Sequence, residues 1–172
     1  MIDFLRSKGY TTGKWSKREL LWSEREGMRS MIGKYTAKVD EKGRLFVPAR
    51  LRQELGDTFY VTIGTNTGCR CLTAYTKAGW EQLNERYNAL PLSQQGGTAA
   101  MLFANAVECC PDKQFRFLLS PNLYRYAGID RDVVIVGRAS SAEIWNAEDY
   151  RAFEERMLTP ENLLASLEAI GL

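Results

Sequence analysis

The feature that most constrains the fold of this chain is an internal duplication. Two segments of the chain share one order of charged, apolar and glycine positions. They are residues 38–64, KVDEKGRLFVPARLRQELGDTFYVTIG, and residues 110–137, CPDKQFRFLLSPNLYRYAGIDRDVVIVG. The matched pairs, 70 to 73 residues apart, are Asp40 and Asp112, Arg44 and Arg116, Pro48 and Pro121, Gly64 and Gly137, Tyr75 and Trp145, and Trp80 and Tyr150. A repeat of this length indicates a duplicated structural unit.

Each copy predicts the same succession of short elements. In the first copy, YTAKVD and RLFVP are predicted strands on either side of a charged turn, where Lys42 and Gly43 suit a tight connection. Pro48 precedes a predicted helix, ARLRQELG, whose leucines fall on one face and whose Gly56 is a stop signal. TFYVTIG and CLTAY follow as strands. The second copy predicts the helix NLYRYAG and then the strands DVVIVG and EIW.

Further helices are predicted outside this pattern. WEQLNERYNAL and YRAFEERML follow the two copies, and LPLSQQGGTAAM separates them. The end, TPENLLASLEAIGL, predicts a helix with Thr159 as N-cap and Pro160 at its first position. We expect this helix to pack on the body or on a neighbouring chain, with a loose solvated end as the alternative. The predicted division is an N-terminal extension (1–30), a first repeat (31–80), a connecting helix and linker (81–104), a second repeat (105–150) and a C-terminal helical tail (151–172).

The predicted fold class is mainly β with short helices. Two units of about 45 residues with short strands are more readily interleaved into one small barrel than kept as separate domains. Interleaving would relate the two charged turns by a pseudo-twofold axis and place them on one face.

Composition limits the possible function classes. The chain has 172 residues, 45% of them hydrophobic, as in globular proteins. It shows neither a run of 18 apolar residues nor a secretory leader, so we expect a cytoplasmic protein without membrane contact. The chain has 23 Lys and Arg residues and 21 Asp and Glu residues. Residues 1–30 contain seven of the basic and four of the acidic residues, so residues 31–172 have 16 basic and 17 acidic residues and a net charge of −1. DNA binding would therefore need a local charged cluster or its multiplication by assembly.

The chain lacks the side chains of common enzyme and metal sites. It has no His, so Ser/His and Cys/His pairs are excluded, and no glycine-rich phosphate loop suggests a cofactor. The four cysteines fall in C-x-C and C-C pairs without zinc-site spacing. We expect buried, reduced thiols, with metal binding as the alternative, and no enzyme activity.

The charged turns and their surroundings resemble a known family. Three segments are similar to parts of MraZ proteins, which are bacterial regulators of the division and cell-wall gene cluster. These segments are MIGKYTAKVDEKGRLFVPARLRQELG, NAVECCPDKQFRFLLSP and VIVGRASSAEIWNAEDY. MraZ proteins are tandem members of the AbrB-like (SpoVT-AbrB) superfamily, whose fold is a double-split, swapped-hairpin β-barrel. The resemblance covers about residues 31–155 and includes two D-x-x-x-R motifs.

The resemblance implies a nucleoid-associated regulator that binds double-stranded DNA. It implies a ring-like homo-oligomer whose D-x-x-x-R loops contact direct repeats in promoters, including its own. The implied DNA contacts are Lys42, Arg44, Lys113, Gln114 and Arg116, and the residues implied to structure the loops are Asp40, Gly43 and Asp112. A Lys side chain can contact a phosphate as a point charge, and the planar Arg guanidinium can contact guanine or phosphate through two hydrogen bonds. The competing interpretation is an Asp–Arg salt bridge that only closes the turn.

The second motif departs from the first at one position. Phe115 stands where the first copy has Gly43, and a bulky residue adopts positive φ only with strain. We therefore expect a reshaped second loop with a buried Phe115.

Two other functions remain open from the sequence, and residues 1–30 need a separate explanation. An AbrB-like fold could serve as a protein-interaction module, antitoxin-like or partner-sequestering, since fold alone does not fix function. RNA binding would favour exposed aromatic residues near the loops, and Phe115 is the candidate. Residues 1–30 lie outside the family pattern and are expected to be disordered, or to be a translated upstream region, because Arg25-Glu26-Gly27 can be encoded by a purine-rich sequence like a ribosome-binding site.

Overall fold

A computed structural model describes residues 30–172, and the expectations for residues 1–29 lie outside the described residues. The strands are β1 (Lys34–Lys38), β2 (Arg44–Phe46), β3 (Phe59–Asn66), β4 (Cys69–Thr76), β5 (Val107–Cys109), β6 (Arg116–Leu118), β7 (Asp132–Arg138) and β8 (Ser141–Asn146). The helices are α1 (Ala49–Leu55), α2 (Lys77–Asn88), α3 (Gly97–Ala104), α4 (Pro121–Ala127), α5 (Ala147–Met157) and α6 (Pro160–Ala169), with a 3₁₀ turn at Leu92–Gln94.

Strands of the two repeats alternate within the sheets. A six-stranded antiparallel sheet has the order β1-β7-β8-β4-β3-β5, and β2 pairs with β6 in a separate ribbon. Strand β1 of the first repeat pairs with β7 of the second repeat, and β5 of the second repeat pairs with β3 of the first. The predicted mainly β fold of two interleaved repeats with short helices and a C-terminal helix is confirmed. The larger sheet is open, with β1 and β5 at its edges.

The core lies between these strands and the short helices of both repeats. Leu45 of β2 and Phe117 of β6 are opposite each other in the ribbon, and both are buried. Leu51 of α1 and Leu123 of α4 are buried at corresponding positions of the two helices. Because each repeat supplies only part of this core, the repeats depend on each other for burial of their apolar faces.

The two helices that follow the ribbon are related by a constant offset of 72 residues. Helix α1 ends at Gly56 and α4 ends at Gly128, as the stop signals predict. Pro48 is the N-cap residue of α1, whereas Pro121 is the first residue of α4, so the structural counterpart of Pro48 is Ser120. The predicted match of Pro48 with Pro121 is therefore wrong by one residue. Either position accepts proline, because a backbone N–H there has no helical partner.

The cysteines differ from their expected placement. Cys71 and Cys109 are buried, but Cys69 is half-buried and Cys110 is exposed, and all four thiols are free. Burial raises the pKa of the Cys71 and Cys109 thiols to about 12. The prediction of reduced thiols agrees with the structure, and the prediction that all four are buried is wrong.

The C-terminal helix forms where the sequence predicts it. The Thr159 side chain accepts a hydrogen bond from the Asn162 amide, as an N-cap does. Helix α6 has no buried residue, and Leu163 and Leu164 are more than half exposed. Its expected packing on the body of the same chain is therefore wrong, which leaves a neighbouring chain or a solvated end.

Candidate nucleic-acid interface

The first charged turn, residues 40–44, is closed by the Asp40 carboxylate and is called loop one. One carboxylate oxygen accepts hydrogen bonds from the Lys42 amide at 3.0 Å and the Arg44 amide at 2.9 Å. The other accepts from Arg44 Nε at 2.8 Å and lies 2.7 Å from Arg44 Nη2. Gly43, at φ +77°, donates its amide to the Asp40 carbonyl. Asp40 thus fixes both the turn and the direction of the Arg44 guanidinium.

The second charged turn, residues 112–116 and called loop two, repeats this geometry. Asp112 accepts from the Gln114 amide at 2.8 Å and the Arg116 amide at 3.0 Å. Its second oxygen accepts from Arg116 Nε at 3.0 Å and Nη2 at 2.7 Å. The Phe115 amide donates to the Asp112 carbonyl at 2.7 Å, as the Gly43 amide does to Asp40.

Phe115 contradicts both sequence-based expectations for loop two. It adopts φ +59°, so the loop keeps the backbone of loop one instead of being reshaped. Its side chain is 42% exposed and lies over the Arg52 guanidinium, so it is not buried. Phe115 thus occupies the left-handed region, where a bulky side chain is unfavourable, in contact with Arg52.

The β2–β6 ribbon fixes the two loops relative to each other. The Leu119 amide donates to the Gly43 carbonyl at 3.0 Å, and the Val47 amide donates to the Phe115 carbonyl at 2.8 Å. Each loop is therefore bonded to the strand end of the other repeat.

The two loop arginines lie on the outer face of this ribbon. Arg116 is paired with Phe46, two residues along β2 from Arg44, so the arginines are offset by about 7 Å along the ribbon. Strand alternation places Phe46 and Leu118 on the same face, and both are exposed. The ribbon thus presents two guanidinium groups and two apolar side chains together.

The ion pairs keep the loop carboxylates charged. The side-chain hydrogen bond from Arg44, followed by its backbone hydrogen bond, lowers the pKa of Asp40 to about 2. Arg116 lowers the pKa of Asp112 to about 2 in the same way. A guanidinium carries five N–H donors, so a pair through Nε and Nη2 does not use all of them. Both interpretations of the Asp–Arg pair, turn closure and aiming of the arginine, are therefore compatible with the geometry.

The remaining predicted contact residues lie at the tips of the loops. Lys42, Lys113 and Gln114 are all exposed. Lys42 lies beside Arg44 at one end of the antiparallel ribbon, and Lys113 and Gln114 lie beside Arg116 at the opposite end.

Sequence reasoning missed three arginines near the loops. Arg125 of α4 lines a surface cavity of about 640 Å³ with Lys42 and Gly43, and Arg131 lines another beside Arg44. Arg52 of α1 contacts Phe115 in loop two. The signal that could have found them is the interleaving itself, because it places the helix of one repeat beside the loop of the other.

Neither a metal-binding cluster nor a membrane-spanning helix occurs in residues 30–172. Within residues 30–172, no group of three or more His, Cys, Asp or Glu side chains is placed to hold a metal ion. No helix in the described part of the chain combines the length and the apolar character needed to cross a membrane.

Comparison with known proteins identifies similar chains. A family model described as "MraZ protein, putative antitoxin-like" matches residues 31–101 and, a second time, residues 102–168. The chain is 43% identical over 119 residues to the transcriptional regulator MraZ of Carboxydothermus hydrogenoformans, which covers 68% of this chain and 81% of the relative. It is 36% identical over 145 residues to the protein of the same name from Caldicellulosiruptor saccharolyticus, covering 83% of this chain and 99% of the relative.

Proposed function

The chain belongs to the MraZ family, and we propose that it is a sequence-specific DNA-binding transcriptional regulator. We propose that it acts in the cytoplasm, on the nucleoid, and controls the division and cell-wall gene cluster. Its targets are direct repeats in promoters, including its own, and it binds them as a ring-like homo-oligomer. Membership of a family of transcriptional regulators agrees with the expectation that the chain is not an enzyme.

The observation that carries this proposal is the matched geometry of the two loops. Asp40 and Asp112 hold Arg44 and Arg116 with the same set of hydrogen bonds. A two-stranded ribbon joins the loops, and such a ribbon fits the DNA major groove. Both loop arginines lie on the outer face of this ribbon, so one groove could meet both.

Each side chain has a chemical role in this proposal. Arg44 and Arg116 donate to guanine or phosphate, and Lys42 and Lys113 meet phosphates as point charges. Gln114 donates to and accepts from a base edge. Asp40, Gly43 and Asp112 fix the conformation of the loop backbone, which directs these side chains. The proposed division of the chain into two repeats gives each repeat one loop.

Assembly supplies the affinity that a weakly charged protomer lacks. Each good bidentate contact contributes about 1–3 kcal/mol, and residues 31–172 have a net charge of −1. In a ring, later loops bind intramolecularly, which raises affinity by about 10²–10⁴. We expect dissociated protomers to bind DNA weakly.

Loss of either loop arginine tests the proposal. We expect Arg44→Ala and Arg116→Ala each to weaken binding to DNA from upstream of the gene by roughly 5–150-fold for every protomer that contacts the DNA, because each of these protomers loses one bidentate contact. Fluorescence anisotropy with a labelled duplex measures this affinity. Arg86→Ala is the matched control, because Arg86 is exposed on α2, away from both loops.

The outcome separates DNA contact from structural damage. Size-exclusion chromatography and urea unfolding should show that all three variants fold and assemble like the unmodified chain. Equal affinity of the Arg44→Ala and Arg116→Ala variants and the Arg86→Ala control would contradict the proposed contacts.

A protein-interaction module is the second candidate. The matching family description includes the term antitoxin-like, and α6 exposes Leu163 and Leu164. This function would tolerate neutralised loops but not a Leu163→Glu/Leu164→Glu variant, whereas DNA reading requires the loops.

A further inference from the structure

We infer that Arg52 is a positioning residue that holds loop two in its DNA-reading conformation by stacking between Phe46 and Phe115. The importance of loop two for DNA rests on the proposed function. The stacking and its effect on the loop do not.

Loop two contains a residue in an unfavourable backbone conformation. Phe115 has φ +59°, in the left-handed region, where the Cβ of an L residue crowds the backbone. Yet its loop makes the same hydrogen bonds as loop one, in which the corresponding residue is glycine. A contact of the Phe115 side chain outside the loop would offset this strain.

Arg52 makes that contact, and its guanidinium lies over a second aromatic ring as well. Its guanidinium carbon lies 3.9 Å from the centre of the Phe115 ring and 4.6 Å from the centre of the Phe46 ring. A cation this close to an aromatic ring is attracted by the ring's negative face.

Arg52 is itself fixed to the strand that receives loop two. Its Nε donates to the Val47 carbonyl at 2.9 Å. The Val47 amide in turn donates to the Phe115 carbonyl at 2.8 Å. Arg52 and the loop backbone are thus bonded to the same residue at the end of β2, so the stacked ring and the loop cannot shift independently.

Loop one provides an internal comparison, because it lacks the clamp. At the offset of 72 residues, Gly43 corresponds to Phe115, and Tyr124 corresponds to Arg52. A Cβ built on Gly43 would lie 3.5 Å from Leu118 and 3.7 Å from Tyr124, so the neighbours differ but the location is equivalent. Glycine needs no support at positive φ. One loop therefore keeps its shape by having glycine and the other by having a stacked arginine.

Hydrogen exchange of the full chain tests the clamp without DNA. In Arg52→Ala we expect the amides of residues 110–118 to exchange about two- to thirtyfold faster, the range for loss of a cation–π contact. Residues 40–44, which form loop one and lie outside the Arg52 contacts with Phe46, Val47 and Phe115, should exchange at the original rate and serve as the internal control. Arg52→Lys keeps the charge but not the planar stack, so it should also accelerate exchange in loop two.

Substitution of Phe115 supplies the decisive comparison. We expect Phe115→Gly to exchange like the unmodified chain, and to restore slow exchange in loop two when combined with Arg52→Ala. Phe115→Ala keeps the strain and loses the stacking, so it should loosen loop two. If Arg52→Ala destabilises the whole protein, the comparison of Phe115→Ala with the unmodified chain still decides, because both carry a Cβ at positive φ and differ by the stacked ring. Equal exchange of loop two in Phe115→Ala and in the unmodified chain, or failure of Phe115→Gly to rescue Arg52→Ala, would overturn the inference.

DNA binding is measured separately on the same variants. Arg52→Ala should lower affinity toward that of Arg116→Ala, and the added Phe115→Gly should restore it. If no variant affects DNA affinity but exchange behaves as expected, the clamp stands and the proposed role of loop two fails. If DNA affinity falls without faster exchange in loop two, Arg52 acts on DNA directly and the inference is wrong.

Discussion

At the scale of single residues, two carboxylates determine the shape of the proposed interface. Asp40 and Asp112 each accept two backbone hydrogen bonds and pair with an arginine four residues later. The D-x-x-x-R spacing predicted these pairs, because a turn brings the two side chains together. The conformation of Phe115 could not be predicted, since it depends on Arg52, which is distant in the sequence and belongs to the other repeat.

The loop carboxylates should make stability depend on acid pH. Their pKa falls from 3.8 to about 2 on folding, so their stabilising contribution is fully present above pH 3.8 and is lost as the pH falls through about 2. Urea unfolding of the unmodified chain and of an Asp40→Asn/Asp112→Asn variant measures this contribution. We expect the unmodified chain to be more stable by a nearly constant amount at pH 4–7, and the difference to shrink below pH 3.8 and to vanish only below about pH 2. A difference that does not shrink between pH 4 and pH 2 would contradict the lowered pKa of the two carboxyls.

At the scale of secondary structure, local signals placed most elements correctly. Glycine stops ended both short helices, and β-branched runs gave the long strands. The pairing partners were accessible only through the duplication, because antiparallel partners such as β1 and β7 lie nearly 100 residues apart. The exposed state of α6 was not predictable, since its apolar spacing is the same whether or not a partner covers it.

Gly137 should be essential where the chain enters the sheet. A Cβ at Gly137 would lie 2.5 Å from the carbonyl carbon of Met31, which is main chain and cannot rotate away. Met31 is buried and exchanges two backbone hydrogen bonds with Ala139. We expect Gly137→Ala to displace this segment and lower the free energy of unfolding by about 2–4 kcal/mol.

Gly64→Ala is the matched control for this prediction. Its Cβ would meet chiefly the side-chain oxygen of Thr73, which can rotate, so the loss of stability should be smaller. Urea unfolding of both variants gives the comparison. A larger loss for Gly64→Ala than for Gly137→Ala would contradict the close main-chain approach.

At the scale of the whole molecule, the duplication explains how two loops come to share one face. Each repeat lends strands to the other, so the loops are fixed by the β2–β6 ribbon and not by a flexible linker. A protomer with so little net charge is expected to bind DNA through these two points and through their repetition in an assembly. Composition alone gave no indication of DNA binding, because the charges that matter are few and local.

Sequence-selective binding by the full chain is the central claim and is tested by one titration. Fluorescence anisotropy compares a duplex from upstream of the gene with a scrambled duplex of equal length at about 0.15 M salt, where nonspecific affinity is weak. The account predicts that the upstream duplex binds at least about 10³-fold more tightly. Equal affinity for the two duplexes would contradict it.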